Sequence, residues 1–268
     1  MLTSPSPLPS PEPERLRKGE RRKQILLELK LRQHLRIGDL AERFRVSTET
    51  VRRDLHALAK EGLIDRAHGG ALPPAPGVYP SLDERQSKGQ AERERIGRLA
   101  ASLVKPGETL MIDSGTTTMQ MARFLAFQGT ACRVITNSLP IAMTLGGSEG
   151  AQVLLCPGDY LPSESAVIGD ETLKFLQGYQ VDRAFIGATA LSLDGVMESV
   201  PGFAAVKGVM LAQAASTFLL IHSMKLGGNG FRKAAELAQL DGIIVDRAPP
   251  SDLARALTAA KVEVAVAN

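Results

Sequence analysis

The run Pro73-Pro74-Ala75-Pro76-Gly77 narrows most what this chain can become, because clustered prolines remove backbone donors and fix φ. Neither a helix nor a central strand passes through such a stretch, so it reads as a semi-rigid linker and a domain boundary. A chain of 268 residues cut there yields a small amino-terminal module and a larger carboxyl-terminal one. The two sides also differ in charge. From Arg15 to Leu72 there are 15 lysines and arginines against 8 acidic residues; from Pro73 onward there are 17 against 19. The basic block suits a polyanion, or is simply a solvated basic face, and the near-neutral block suits something smaller.

Ahead of the linker, hydrophobic spacing predicts three helices. Over 20–31, Ile25, Leu26 and Leu29 share one face and basic residues the other; after Arg36, Ile37, Leu40, Ala41 and Phe44 fall at helical intervals. A third helix runs over 47–60, with Ser47 and Thr50 available for its cap. At about 100° per residue, Leu55 and Leu58 lie within about 40° of Val51, whereas Glu49, Arg53 and His56 lie on the far side. The segment over 63–71 reads as two short strands around a small-residue turn. Three helices and a hairpin make a winged helix-turn-helix.

Beyond the linker, helical stretches over 92–104, 117–127 and 139–145 alternate with extended ones over 109–113, 132–136 and 153–156. Further strands are expected over 183–186, 218–221, 242–245 and 262–266, with helices before them. Alternation of this kind indicates an α/β domain with a largely parallel sheet. The expected organisation is a disordered tail over 1–18, the winged helix-turn-helix over 19–72, a linker over 73–90 and the α/β domain over 91–268. The tail is rich in Pro and Ser without an apolar core, and no apolar run reaches membrane-spanning length, so the expected location is the cytoplasm. Cys132 and Cys156 stand far apart with no histidine at ligand spacing; neither a metal nor a cofactor is assigned.

In a helix-turn-helix the second helix presents its outward side chains to base edges in the major groove. Here these are Ser47, Thr48, Glu49, Thr50, Arg52, Arg53 and His56. The Arg53 fork matches the two acceptors of guanine, and Arg52, at the flank, is better placed for phosphate. Arg66 and His68 in the hairpin could reach backbone or minor groove, with Gly69 and Gly70 permitting close approach. A purely structural three-helix bundle would share the periodicity; the outward pair of arginines, the basic charge and the Gly-Gly tip occurring together favour double-stranded DNA.

The residues over 46–55, with Arg52-Arg53-Asp54-Leu55, followed by His68-Gly69-Gly70-Ala71 in the wing, resemble the signature of the DeoR family of bacterial transcriptional regulators. The resemblance extends through most of residues 20–248. It implies an operator-binding repressor, usually a homo-oligomer, released by a phosphorylated sugar or related effector. It also implies an effector domain with a fold like that of ribose-5-phosphate isomerase.

Met111 to Thr118 runs from a strand into a helix, a junction where unpaired N–H groups and the positive helix end face an anion. Asp113, Ser114, Gly115, Thr116, Thr117 and Thr118 are therefore candidates for an effector's phosphate, although a plain helix cap would use the same residues. The resemblance makes this segment the phosphate-holding loop and adds Asn137, Gly158, Lys207 and Lys225. Four departures from the family stand out: Ala190 replaces Gly, Phe203 an acidic residue, His222 the Asp ahead of the Lys225 segment, and Pro157-Gly158 a Gly-Gly pair. Each change is expected where an effector's hydroxyls are read. An isomerase- or deaminase-like enzyme using Asp113, Asp182 or His222 is the competing reading. The acidic residues such chemistry needs near Lys207 and Lys225 are expected to be missing, so no catalytic residue is assigned. An architectural DNA binder whose large domain only oligomerises is the third.

Overall fold

The computed structural model of the chain describes residues 17–31, 35–60, 64–67, 70–72 and 89–268. The expected tail beyond Arg17 and Lys18, and the expected linker up to residue 88, lie outside the described residues. The chain divides into two compact units, Met1–Tyr79 and Pro80–Asn268.

The first unit contains helices α1 (Lys18–Leu31), α2 (Ile37–Arg43) and α3 (Thr48–Lys60). Val51, Leu55 and Leu58 of α3 are buried against Ile25 and Leu29 of α1 and Leu40, Ala41 and Phe44 around α2. Between α2 and α3 the chain reverses at Arg45, whose φ of 50° is left-handed. The Ser47 hydroxyl then accepts the Thr50 N–H at 3.2 Å, which satisfies one of the amide groups left open where a helix starts. Strands β1 (Leu35–Arg36), β2 (Asp65–Ala67) and β3 (Gly70–Leu72) form an antiparallel sheet in the order β1-β3-β2. β1 escapes the periodicity argument because two residues carry no period.

α3 also carries a charge on its buried side. Asp54, about 60° from Val51 around the helix, is 2% exposed. Its two oxygens take the Nε–H of Arg21 at 2.5 Å and of Arg22 at 3.1 Å, both from α1. Arg43 of α2 reaches the buried Glu28 of α1 at 3.0 Å. Ion pairs thus tie both halves of the helix-turn-helix to the first helix.

The second unit follows in chain order as α4 (Gln90–Ser102), β4 (Thr109–Ile112), α5 (Thr116–Gln128), β5 (Cys132–Thr136), α6 (Leu139–Gly146), β6 (Ala151–Leu155), β7 (Asp159–Leu161), β8 (Ala166–Ile168), α7 (Asp170–Gln177) and β9 (Val181–Ile186). It continues with β10 (Ala190–Ser192), β11 (Gly195–Glu198), α8 (Pro201–Ala212), β12 (Ala214–Ile221), β13 (Arg232–Ala235), β14 (Gly242–Val245), α9 (Ser251–Ala259) and β15 (Glu263–Val266). Seven strands make one parallel sheet in the order β15-β14-β12-β9-β4-β5-β6. Successive residues of a strand point to opposite faces, and both faces are buried here. Leu110, Ile112, Val134, Phe185 and Leu220 pack under α4, α5 and α6. Met111, Ala184, Ile186, Leu219 and Val245 pack under α7, α8 and α9. α4 and α5 approach closely at Gly97, where a Cβ would lie 2.6 Å from the Met121 nitrogen.

The chain builds the sheet outward from β4 through β5 to β6, then returns to β9 and builds the other way. The reversal lies between β4 and β9, and ligands of such sheets bind beyond the carboxyl ends of the strands at that point. Two small antiparallel sheets, β7-β8 and β10-β11-β13, are built from segments leaving those ends. Among the described residues, no helix is long and apolar enough to cross a membrane.

Replacing Asp54 by Ala removes the buried carboxylate that Arg21 and Arg22 share, and the expected loss is about 3–5 kcal/mol from the first unit alone. Hydrogen exchange on the full chain should show α1 and α3 losing protection while the parallel sheet keeps it. Unchanged protection of α1 would remove the clamp.

Candidate functional site

On α3, Ser47, Thr48, Glu49 and His56 are exposed and Thr50 is half-buried. The Arg52 and Arg53 side chains are 58% and 79% exposed. Glu49 stands between them, 3.8 Å from Arg52 and 3.5 Å from Arg53. Exposed pairs of this kind are worth about 0–1 kcal/mol, so either guanidinium can leave Glu49 for a phosphate or a base edge at small cost. The hydroxyls of Ser47 and Thr50 lie 2.9 Å apart within the helix cap. Arg66 lies on β2, in the wing; His68 is outside the described residues.

The sheet's reversal point holds a buried ionic centre. Asp113, directly after β4, is fully buried, and its Oδ2 accepts from Lys207 Nζ at 2.7 Å and from the Gly187 N–H, after β9, at 3.1 Å. Lys207 also reaches Glu198 Oε1 at 3.1 Å, and Glu198 Oε2 accepts from the Thr189 hydroxyl at 3.0 Å. Burial pushes the Asp113 carboxyl up, with the Lys207 charge opposing. Burial pulls Lys207 down, but Asp113 and Glu198 more than reverse this and hold it as an ammonium.

Next to this centre, the Ser114 N–H donates to Asn137 Oδ1 at 3.1 Å, and Asn137 Nδ2 donates to the Val167 carbonyl at 3.1 Å. α5 starts at Thr116 with no side chain capping its amino end. Thr116 and Thr117 are largely buried beside it, and the Thr118 hydroxyl is turned back onto the Gly115 carbonyl at 3.1 Å. Gly115 is extended, so left-handed freedom is not what it supplies. A Cβ there would lie 3.2 Å from the Thr118 hydroxyl.

Several expectations need correction. Lys207 is not a cation waiting for phosphate or a solvated surface charge: it is 2% exposed and already matched by two carboxylates. An acidic neighbour was expected to be missing because Phe203 occupies the familiar position; β11 supplies Glu198 instead, and the Phe203 ring packs 5.5 Å from the ammonium. Gly158 serves the fold: at φ 143°, a Cβ on it would fall 2.1 Å from the Thr172 hydroxyl and 2.6 Å from the Ile168 carbonyl. Lys225 donates to the Ala188 carbonyl at 2.6 Å, which joins its loop to the segment after Gly187.

His222 is engaged by its own chain. Its Nδ1 accepts the Met224 N–H at 3.0 Å and lies 4.0 Å from Asp246. Its Nε2 lies so near Gly89 that a Cβ there would stand 2.8 Å away. Asp246, which the sequence reading passed over, accepts the Ser223 N–H and hydroxyl at 2.6 and 2.8 Å. The acid thought absent near Lys225 therefore arrives from the end of β14. Asp182 is likewise structural, holding Thr109 at the opposite end of the sheet. Glu198, Thr189 and Asp246 carry no local sequence signal. Asp54 does, as a charge inside an aliphatic stripe. Among the described residues, no group of three His, Cys, Asp or Glu could hold a metal ion.

With this geometry established, comparison with known proteins gives two matches along the chain. Residues 21–75 match the DeoR-like helix-turn-helix domain, and residues 88–247 match the DeoR C terminal sensor domain. The glycerol-3-phosphate regulon repressor of Escherichia coli K12 is 30% identical over 91% of this chain and 96% of its own. The HTH-type transcriptional repressor GlcR of Bacillus subtilis is 35% identical over 82% of this chain and 85% of its own. The lactose phosphotransferase system repressor of Lactococcus lactis is 33% identical over 86% and 92%. Among solved structures, ribose 5-phosphate isomerase A from Methanocaldococcus jannaschii aligns with 52% of this chain and 55% of its own, with a TM-score of 0.38 and 18% identity.

His222 generates a pH dependence. Burial lowers its pKa, Asp246 and Glu92 opposing and Arg93 and Lys225 reinforcing. A histidine depressed in the folded state contributes stability that is complete above its ordinary pKa of about 6.5 and lost as pH falls through the folded value. The α/β unit should therefore melt at progressively lower temperature as pH drops from about 7 to about 5, and His222→Asn should flatten that slope. Calorimetry on the two full-length proteins decides; equal slopes would exclude His222 as the source.

Proposed function

The chain belongs to the DeoR family of transcriptional regulators, and from that membership we propose that it represses carbohydrate-metabolism genes and releases its operator when the α/β unit takes up a phosphorylated sugar or a related metabolite. The observation that carries the DNA-binding half is the division of α3: Val51, Leu55 and Leu58 are buried while Arg52 and Arg53 stand in solvent. A packed underside fixes the orientation of the outward guanidiniums, which is what a groove-reading helix requires. Arg53 is assigned to a base edge, Arg52 to phosphate, with Ser47, Thr48, Glu49, Thr50 and His56 along the same contact and Arg66 and His68 in the wing.

The sensing half rests on the strand-to-helix junction at the sheet's reversal point. The uncapped amino end of α5 offers N–H groups and a positive dipole to a phosphate, with Ser114, Thr116 and Thr117 beside it. Lys207 acts from below, holding Asp113 and the loop rather than touching the anion. Lys225 is assigned to the ligand's rim. A homo-oligomer fits this role, because one recognition helix reads only a half-site.

Catalysis does not suit the same centre. A general base needs a free site and a pKa near the working pH. Lys207 is locked as an ammonium between Asp113 and Glu198, so it offers no basic lone pair.

Operators mapped genome-wide with the full chain supply the DNA for the test. Arg53→Ala should cost about 1–3 kcal/mol of discrimination at one base pair, while Arg52→Ala should weaken all sites alike and lower the salt slope by about one unit. If both variants kept the wild-type preference and slope, the assigned orientation of α3 would be wrong. Phosphorylated sugars should release the wild-type protein from DNA; no release and no thermal shift with any of them would favour an architectural binder.

A further inference from the structure

The two outer strands of the parallel sheet are built differently. β15, at one edge, starts at the exposed Glu263 and follows the exposed Lys261, and charged side chains keep further strands from adding to an edge. β6, at the other, is Ala151-Gln152-Val153-Leu154-Leu155, with neither charge nor proline. It pairs with β5 on one side and with no described strand on the other. The Gly150 carbonyl accepts from Cys132 and the Cys156 N–H donates to Thr136, so both turn toward β5. Alternation along the strand then points the N–H and C=O of Ala151, Val153 and Leu155 outward. α6, which lies over β6, is the one described helix without a charged side chain. Its Ile141 and Leu145 are buried, while Leu139 and Met143, one turn apart, face solvent, Met143 being 70% exposed. With Phe127, Leu155 and Tyr160 they make five of the nine exposed large apolar side chains among the described residues, which is a patch rather than scatter. Between Arg133 and Asp159, Glu149 is the only charged residue, in a chain that is 23% charged.

Resting on the half-site reading above, which asks for two copies without placing their contact, we propose that the edge formed by β6 and α6 is where two copies of this chain join about a two-fold axis. The charge pattern selects this occupant. A polyanion or a charged peptide finds no counter-charge here. β15 of a second copy would meet β6 head to tail, a contact that repeats into a filament, and Glu263 and Lys261 oppose it. Two copies of β6 instead form a closed pair, and on a two-fold axis the central side chains face their own copies. An uncharged strand meets itself there without like-charge opposition. The outward main-chain groups also set the register. Antiparallel strands exchange hydrogen bonds between residues that both point outward, so Val153 stands opposite its own copy and Ala151 opposite Leu155 of the second chain. As the crossover between two parallel strands, α6 runs opposite to β6, which brings its midpoint, Met143, nearest the axis. The uncharged outer faces of the two α6 helices then cover each other.

Sedimentation of the full chain over a range of concentrations is the test. The wild-type protein should be a dimer or an even multiple of one. Met143→Glu should weaken self-association roughly tenfold or more with an unchanged circular dichroism spectrum, because like charges then meet near the axis. Met143→Arg should do the same, and an equimolar mixture of the two variants should associate more tightly than either alone. Leu193→Glu, at another exposed apolar position in the turn between β10 and β11, should associate as the wild type does. If Met143→Glu fails to fold, Leu155→Glu provides the same comparison. A folded Met143→Glu protein that associates like the wild type would overturn this edge as the contact and leave the half-site reading standing. So would an equal loss from Leu193→Glu, or a mixture no tighter than its components. A wild-type chain that stays monomeric at concentrations saturating its operator would overturn the half-site reading and this interface together.

Discussion

The carboxyl-terminal face of the sheet is organised around one buried ammonium. Lys207 projects from α8 between Asp113, at the end of β4, and Glu198, at the end of β11, and so binds together three elements that hydrophobic packing alone would leave free to slide. Taking such charges out of water costs several kcal/mol per ion, and a buried ion cluster adds little net stability over apolar side chains of similar volume. What it fixes is position, because the attraction is recovered only at short, specific distances. Removing the cation would leave two carboxylates facing each other in a dry interior, where both cannot stay ionised. The centre stands or falls as a unit, and the loop from Asp113 to Thr118 inherits its placement.

The first unit solves a related problem with the same chemistry. In Arg52-Arg53-Asp54-Leu55, two consecutive residues face solvent and the next two face the core, which the turn of a helix makes unavoidable. The inward Asp54 needs counter-charges, and α1 supplies Arg21 and Arg22. The charge that anchors the helix and the charges that stand ready for a polyanion are therefore sequence neighbours with opposite destinations. Neither can be moved along the chain without exchanging their roles.

Periodicity made the main elements legible, because the patterns that mark helices and strands depend on near neighbours. The seven strands of the parallel sheet and the helices of the first unit lie close to where spacing predicts them. Short pieces were not legible: Leu35–Arg36 has too few residues for a pattern, and the small sheets β7-β8 and β10-β11-β13 are made of three- and four-residue strands. The site was legible as a strand-to-helix junction and illegible as an electrostatic object. Glu198 lies nine residues from Lys207 in sequence, yet a hairpin and a helix start bring them to 3.1 Å. A lone Lys and a misplaced Glu give no local hint of that pairing. His222 shows the opposite error: the departure from the family pattern was visible, but its packing against Gly89 depends on α4, more than a hundred residues earlier.

A sensor must do more than bind, since a ligand with equal affinity for two states shifts neither. Any response therefore has to run through bonds that differ between states, and the bonds at this site are few. Gly187 is tied to Asp113, Ala188 to Lys225, and Gly227 to Leu191, so the segments leaving β9 and β12 are joined to each other and to the ionic centre. The turn at 222–225 in turn lies against the start of α4, where His222 Nε2 approaches Gly89. α4 is the first described element after the proline-rich stretch that follows the helix-turn-helix. A saturated ammonium and a carboxylate held from two sides thus join the ends of β4, β9 and β11 to α8.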